Sequence, residues 1–379
     1  MNEQSLLDDY AAARRRFLAL AQEKGARIES HVNAGLKGKA GEELATDIAW
    51  FGREDAERVF LCTSGMHGLE GPVGSAIEAA WLSEGGPGRL PANVAVCLVH
   101  ALNAWGFSHF ARCTENNVDL NRNWADFSKE LPVNAEYTHI RDMIRLKRVD
   151  EPAIAGLIAD YERLKRELGP GRLSLAVTQG QYEDPRGLQF GGRAPEFGVR
   201  VFCAHVLPRL QGAREVGLLD WHTGVGDFGE VAFLVTGGID SEAGRRAAAW
   251  WGEARVRGWR RSPTEEEVER DVAANSLARK KFGQLYHRLP ELLPNARVAG
   301  GIIEFGTERP GSFERLMLAT MYELWLRFEH RGDRFAPEHA VHLATMREAF
   351  VPSDAGWRSK VLDEGPRLMQ QVIDGLSKG

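Results

Sequence analysis

Thr63-Ser64-Gly65-Met66-His67-Gly68-Leu69-Glu70-Gly71-Pro72 is the stretch from which the rest of this chain can be read. The apolar run Arg58 to Cys62 has the pattern of a buried strand and leads into it, and Val73 to Leu82 behind it reads as a helix. His67 and Glu70 therefore fall on a strand-to-helix bend. Flanking glycines allow a tight turn, and the i, i+3 offset puts an imidazole and a carboxylate on one side of it. Such a pair can hold one metal ion. Its nitrogen and oxygen donors suit zinc, which in catalytic sites commonly takes three protein ligands and leaves one position for water. A chain with 11 His is expected to contain about one His-x-x-Glu by accident, so the pair becomes informative only through its company.

Outward from the bend toward the N-terminus, Glu43 to Phe51 and Arg27 to Val32 read as strands, and Ser5 to Gln22 as an amphipathic helix ending near Gly25. Pro72 suits the first turn of the following helix, where its missing N–H has no intrahelical partner. Glu84-Gly85-Gly86-Pro87-Gly88 ends that helix. Asn93 to His100 is too apolar for an exposed edge strand. Its loop leads to a dense polar stretch containing Arg112 and then Asn116-Asn117-Val118-Asp119-Leu120-Asn121-Arg122-Asn123. Asparagines form helices and strands poorly and must find partners in a turn. Arg122 and Asn121 offer a planar fork and an amide that suit a carboxylate. A hydrogen-bonded turn with a solvated arginine is the alternative.

Helical spacing runs from Asn134 to Leu168, interrupted at Pro152 and closed by Gly169-Pro170-Gly171. Leu173 to Thr178 returns to strand pattern. The Gly-rich loop after it lacks the glycine spacing of a phosphate or dinucleotide loop. Phe197 to Leu210 reads as a helix with His205 on its apolar face, a core position. Glu215 to Trp221 is a strand that delivers His222, the natural third ligand, because strand ends on one edge of an α/β sheet converge. Asp220 is a candidate to orient that imidazole, although strand alternation argues for another direction. Beyond the strand Val231 to Thr236 and two helical stretches lies Val298 to Phe305, an apolar strand that carries Glu304. A carboxylate buried there is costly unless it is paired or functional. Helices from Phe313 to His330, Glu338 to Phe350 and Trp357 to Leu376 then cover the sheet or a dimer interface, so a homo-oligomer is one expectation.

The composition agrees with one large α/β domain or two smaller ones. Of the 379 residues, 43% are hydrophobic and 27% charged, and the net charge is −5 with both signs interspersed. No basic field exists to track a phosphate backbone, which argues against a nucleic-acid partner. No apolar run is long enough to span a bilayer, and the polar, acidic first residues do not resemble a signal peptide. The four cysteines are far apart and read as reduced. These features predict a cytoplasmic protein.

Taken in order, His67-x-x-Glu70, Arg112, Asp119-Leu120-Asn121-Arg122-Asn123, His222 and Glu304 resemble the zinc carboxypeptidases of the M14 class. The Ser-Gly-x-His-Gly-x-Glu-Gly start, the Gly180-Gln181-Tyr182 loop and the Glu304-Phe305-Gly306-Thr307 end resemble the DUF2817 branch more narrowly. The resemblance covers roughly residues 25 to 330. It implies an α/β fold, a mixed and mostly parallel eight-stranded sheet with helices on both faces. It also implies a single domain over residues 1–379, with a helical insertion at about 125–170 and a C-terminal helical extension at about 332–379. By the same resemblance His67, Glu70 and His222 match the ligands of one Zn2+ per chain. Glu304 matches the general base and Arg112 the arginine that stabilises the oxyanion. Asn121 and Arg122 match the pair that holds a substrate carboxylate. The family's tyrosine before the general base has no motif here; Tyr286 lies in the right interval and stays unassigned.

The resemblance thus implies a zinc-dependent hydrolase that cuts an amide or peptide bond next to a free carboxylate, with a small peptide or acylated amino acid as substrate. Deacylases of the aspartoacylase and succinylglutamate desuccinylase type share the ligand and Asp-Leu-Asn-Arg pattern, so peptidase and deacylase remain open. An inactive, metal-free scaffold that binds a protein partner is the alternative from another class, but such a module has no need of Glu304.

Overall fold

In the computed structural model, which describes residues 5–6, 9–258, 281–309, 312–330 and 332–378, the chain is built on one mixed sheet. The strands are β1 (Arg27–Lys37), β2 (Glu43–Phe51), β3 (Arg58–Thr63), β4 (Val94–His100), β5 (Glu215–Asp227), β6 (Val231–Val235) and β7 (Arg297–Glu308). Their order is β1-β2-β4-β3-β5-β7-β6. The β3–β4, β3–β5 and β5–β7 pairs at the centre are parallel. The β1–β2, β2–β4 and β6–β7 pairs toward the edges are antiparallel. The central strands are buried along nearly their whole length, as a parallel sheet covered on both faces requires.

One face is covered by helices Gly71–Ser83, Glu242–Trp251, Ala340–Phe350 and Ala355–Lys378, whose Trp81, Trp251, Phe350, Val372 and Ile373 meet Phe60, Cys62, Leu219 and Phe305 of the sheet. The other face is covered by the helical stretch Phe197–Leu210 and helix Leu285–Leu292 against Ile48, Trp50, Leu61 and Val216. The C-terminal helix is part of the first core. Its Trp357 is buried and donates from Nε1 to the Gly306 carbonyl at 2.9 Å. The N-terminal helix begins at Tyr10, capped by Asp9, and residues 7–8 of the expected Ser5–Gln22 helix lie outside the described residues. So do residues 259–280, which include part of the helical stretches expected before β7.

The sheet differs from the expectation in two respects. It has seven strands rather than eight, and its pairings divide evenly between parallel and antiparallel instead of being mostly parallel. Leu173 to Thr178, expected as a strand, is helical and ends the long element Glu151–Thr178. Gly169, at φ +76°, kinks that element, and Pro170 then opens its last turns instead of closing the segment. Pro152 likewise sits in the first turn after the Asp150 cap, so it starts the helix rather than interrupting it. A six-residue stretch with four apolar residues fits either period. Leu173 and Ala176, three apart, bury one helical stripe against Tyr137, Leu164 and Met321.

His205 also departs from its expected core position. Between Phe202 and Val206 the helix widens to a π turn, in which the Leu207 N–H reaches back to the Phe202 carbonyl. The extra residue rotates the stripe, and His205 comes out exposed. Among the described residues no helix is long and apolar enough to cross a membrane, and the four cysteines are free.

Candidate metal centre

Chain geometry between β3 and helix Gly71–Ser83 explains the glycines around His67 and Glu70. Gly65 takes φ +66°, a left-handed conformation that turns the chain out of the strand. A Cβ on Gly68 would lie 2.0 Å from the Gly106 carbonyl carbon, so only glycine permits this approach. There Gly68 N–H donates to the Arg112 carbonyl at 3.1 Å and Leu69 N–H to Ala111 at 3.0 Å. The His67–Glu70 turn is thereby tied to the segment that carries Arg112.

Tertiary structure brings His222 and Glu304 to the same place. They are paired across the parallel β5–β7 ladder, just past the middle of both strands. One donor atom from each of His67, Glu70 and His222 lies within 4.8 Å of the others, and all three residues are buried. His67 Nδ1 is 2.8 Å from Glu70 Oε1 and 3.1 Å from His222 Nδ1, which is itself 3.1 Å from Glu70 Oε2. Zinc bonds near 2.1 Å separate tetrahedral donors by about 3.4 Å, a few tenths of an ångström more than these contacts. The donor set therefore fits a zinc ion.

A carboxylate faces the far nitrogen of each imidazole. His222 Nε2 lies 2.8 Å from Asp220 Oδ2, and Asp220 Oδ1 accepts from Thr63 Oγ1 at 2.7 Å. His67 Nε2 lies 3.1 Å from Asp119 Oδ1. Both rings are thus set to present Nδ1 to the centre, the arrangement typical of metal-bound histidines. The strand-alternation objection to Asp220 does not hold, because residues two apart share a face. Asp220→Asn should weaken Zn2+ affinity about 10- to 100-fold without altering the ligand set. Competition against a chromophoric chelator measures this, and unchanged affinity would remove Asp220 from the role.

The charges of the cluster are strongly interdependent. Burial alone would raise the Glu70 carboxyl, but His67 and His222 hold it well below the usual range. Asp119 is likewise buried and is held well down by His67 and Arg112. Burial disfavours the His222 imidazolium, yet Asp220 and Glu70 outweigh that and push its pKa well up. A cation at the centre must displace that proton, so metal affinity falls on acidification. Glu304 goes the other way: burial raises its carboxyl, only partly offset by His222. Its Oε2 accepts from the Val225 N–H at 3.3 Å.

Arg112 joins the same cluster. Its Nη1 lies 3.2 Å from Glu70 Oε1 and its Nη2 3.3 Å from Asp119 Oδ2 and 2.8 Å from His67 Nε2. Its backbone is braced by Glu323, which sequence reasoning missed: the carboxylate accepts from the Arg112 and Cys113 N–H groups at 2.7 and 3.3 Å. A lone Glu between Tyr322 and Leu324 in an apolar helical stretch was the available signal. Asn121 and Arg122 lie on the short turn after Asp119, both buried. The Arg122 guanidinium donates to the carbonyls of Asn121 at 2.7 Å and Thr178 at 2.6 Å. Arg122 Nε and Asn121 Oδ1 have no hydrogen-bond partner among the described residues. Tyr286 is buried at the start of helix Leu285–Leu292, close enough to contribute to the field at Arg122.

Residues 6–364 match the family described as Protein of unknown function (DUF2817). No curated protein matches the chain. Among solved structures, bovine thrombin-activatable fibrinolysis inhibitor, in complex with tick carboxypeptidase inhibitor, aligns at 11% identity over 98% of this chain and 97% of that one, with a TM-score of 0.47. Carboxypeptidase A from Helicoverpa armigera aligns at 11% identity over 95% of this chain and 73% of that one, with a TM-score of 0.41. A protein described under the succinylglutamate desuccinylase / aspartoacylase family, from Shewanella amazonensis, aligns at 16% identity over 81% and 73%, with a TM-score of 0.32.

Proposed function

We propose that this chain, which belongs to the DUF2817 family, is a zinc-dependent hydrolase that cleaves an amide bond beside a free carboxylate. The observation that carries the reading is the meeting of His67, Glu70 and His222 around one point, with Glu304 paired to His222 across the ladder. Zinc held by the three ligands supplies a Lewis acid and an activated water at neutral pH.

The protein's own groups do the rest. Glu304 accepts a proton from the attacking water and returns it to the leaving nitrogen, a role helped by a carboxyl whose burial raises its proton affinity. Arg112 keeps its charge, since Asp119 and Glu70 outweigh its burial, and by the resemblance of the motifs it is the arginine that stabilises the oxyanion as the carbonyl becomes tetrahedral. Arg122 Nε–H is the donor left without a partner among the described residues, and the guanidinium supplies the charge that a carboxylate needs; Asn121 Oδ1, an acceptor, is left for an N–H of the substrate. A peptide C-terminus and an N-acyl amino acid both present an amide next to an acid. The C-terminal peptide bond is the preferred reading, by the family resemblance of the motifs.

The test is a panel of short peptides, N-acyl amino acids and their C-terminal amides, assayed with zinc-loaded protein and after chelation. Activity that disappears with chelation and returns with Zn2+ is expected; hydrolysis indifferent to chelation would overturn the metal role. Arg122→Ala should raise KM for free-acid substrates by about tenfold or more and leave amidated analogues little changed. Because Arg122 also braces two carbonyls, the decisive quantity is the ratio of the two substrate classes. An equal loss on both would remove the clamp.

A further inference from the structure

The described residues contain a second cluster able to hold a metal ion, on the opposite flank of the sheet from β7. It is formed by Glu29 and His31 of the edge strand β1 and by His205, with donor atoms within 4.8 Å of one another. Glu29 and His31 are two apart in a strand and so share a face. That face is the one over which the helical stretch Phe197–Leu210 packs, and the π turn at Phe202–Val206 swings His205 outward onto His31. The two rings stack with centroids 3.8 Å apart and planes at 30°.

We propose that Glu29, His31 and His205 form a second site for a first-row divalent ion, with zinc as its natural occupant. Two imidazoles and one carboxylate form a donor set of the kind zinc takes, and the remaining position is open to water. Glu29 is already oriented for it. One of its oxygens is held by Arg209, and the other faces His31 Nε2 at 3.4 Å, close to the spacing of two donors on one tetrahedral ion. Arg209 is itself fixed, its guanidinium lying over the Trp50 ring at 5.9 Å. Ligation turns the two imidazoles out of their stack so that their lone pairs converge. The ion then joins the edge strand to the helix that covers it, two elements far apart in sequence, and it stabilises the folded chain by an amount that grows with the logarithm of its affinity.

This site shares no residue with the centre around His67, so the two can be tested separately. Zn2+ is titrated calorimetrically into chelator-stripped protein. Wild type should bind two equivalents, His67→Ala one, His205→Ala one, and the double variant none. In the His67→Ala background, zinc should raise the melting temperature, and His205→Ala should abolish that shift. X-ray absorption of the His67→Ala protein should show two imidazole nitrogens on the ion. The proposal is overturned if His205→Ala binds as much zinc as wild type, or if His67→Ala alone binds none. His205 is exposed, so its replacement leaves the core intact.

Discussion

Glu304→Gln is expected to lower kcat by about 100- to 10,000-fold while zinc remains bound at the centre and the melting temperature stays near that of wild type. The substitution keeps the side chain's size and leaves an oxygen to accept from the Val225 N–H, as the carboxylate does now at 3.3 Å. What it removes is the ability to accept a proton. At three orders of magnitude the loss corresponds to about 4 kcal/mol of transition-state stabilisation. Among the described residues Glu304 belongs to neither cluster of side chains that could hold a metal ion, so metal content should not follow activity down. Turnover within a few-fold of wild type would take Glu304 out of the reaction; loss of zinc along with activity would recast it as part of the binding site.

The second large effect is expected at His67. His67→Ala should remove one zinc equivalent and bring hydrolysis to background, because the remaining donors are one carboxylate and one imidazole. Without an ion, Glu70 and Asp119 still have Arg112 between them, at 3.2 and 3.3 Å, so the variant should fold. Metal analysis and circular dichroism on the same sample separate the two effects. His222→Ala, acting from a different strand, should reproduce the loss of zinc. Full activity of either variant would overturn the metal centre as the seat of hydrolysis.

Some of this was legible in the chain because the determinants are local. The strand, bend and helix around His67 and Glu70 follow from an apolar run, glycines at the turn and a proline in the first helical turn. Glu304 and His222 could be singled out because a charge or an imidazole within a largely apolar strand is conspicuous. Leu173 to Thr178 reads as a strand but folds as a helix because four apolar residues in six fit either period. Their partners, Tyr137 and Met321, lie far away in sequence.

By itself, then, the sequence determined the central strands β3, β4, β5 and β7 and the bend after β3 that carries His67 and Glu70. Each is a pattern within about ten residues, where spacing alone decides which way side chains point. Only tertiary structure decided that His222 and Glu304 are neighbours across a ladder and that Asp119 and Asp220 stand behind the two imidazoles. It also decided that Glu323 from a distant helix holds the Arg112 backbone and that a π turn brings His205 onto the edge strand. Those relations depend on strand order, register and helix rotation. They are set by how large apolar faces pack together, which no single segment encodes.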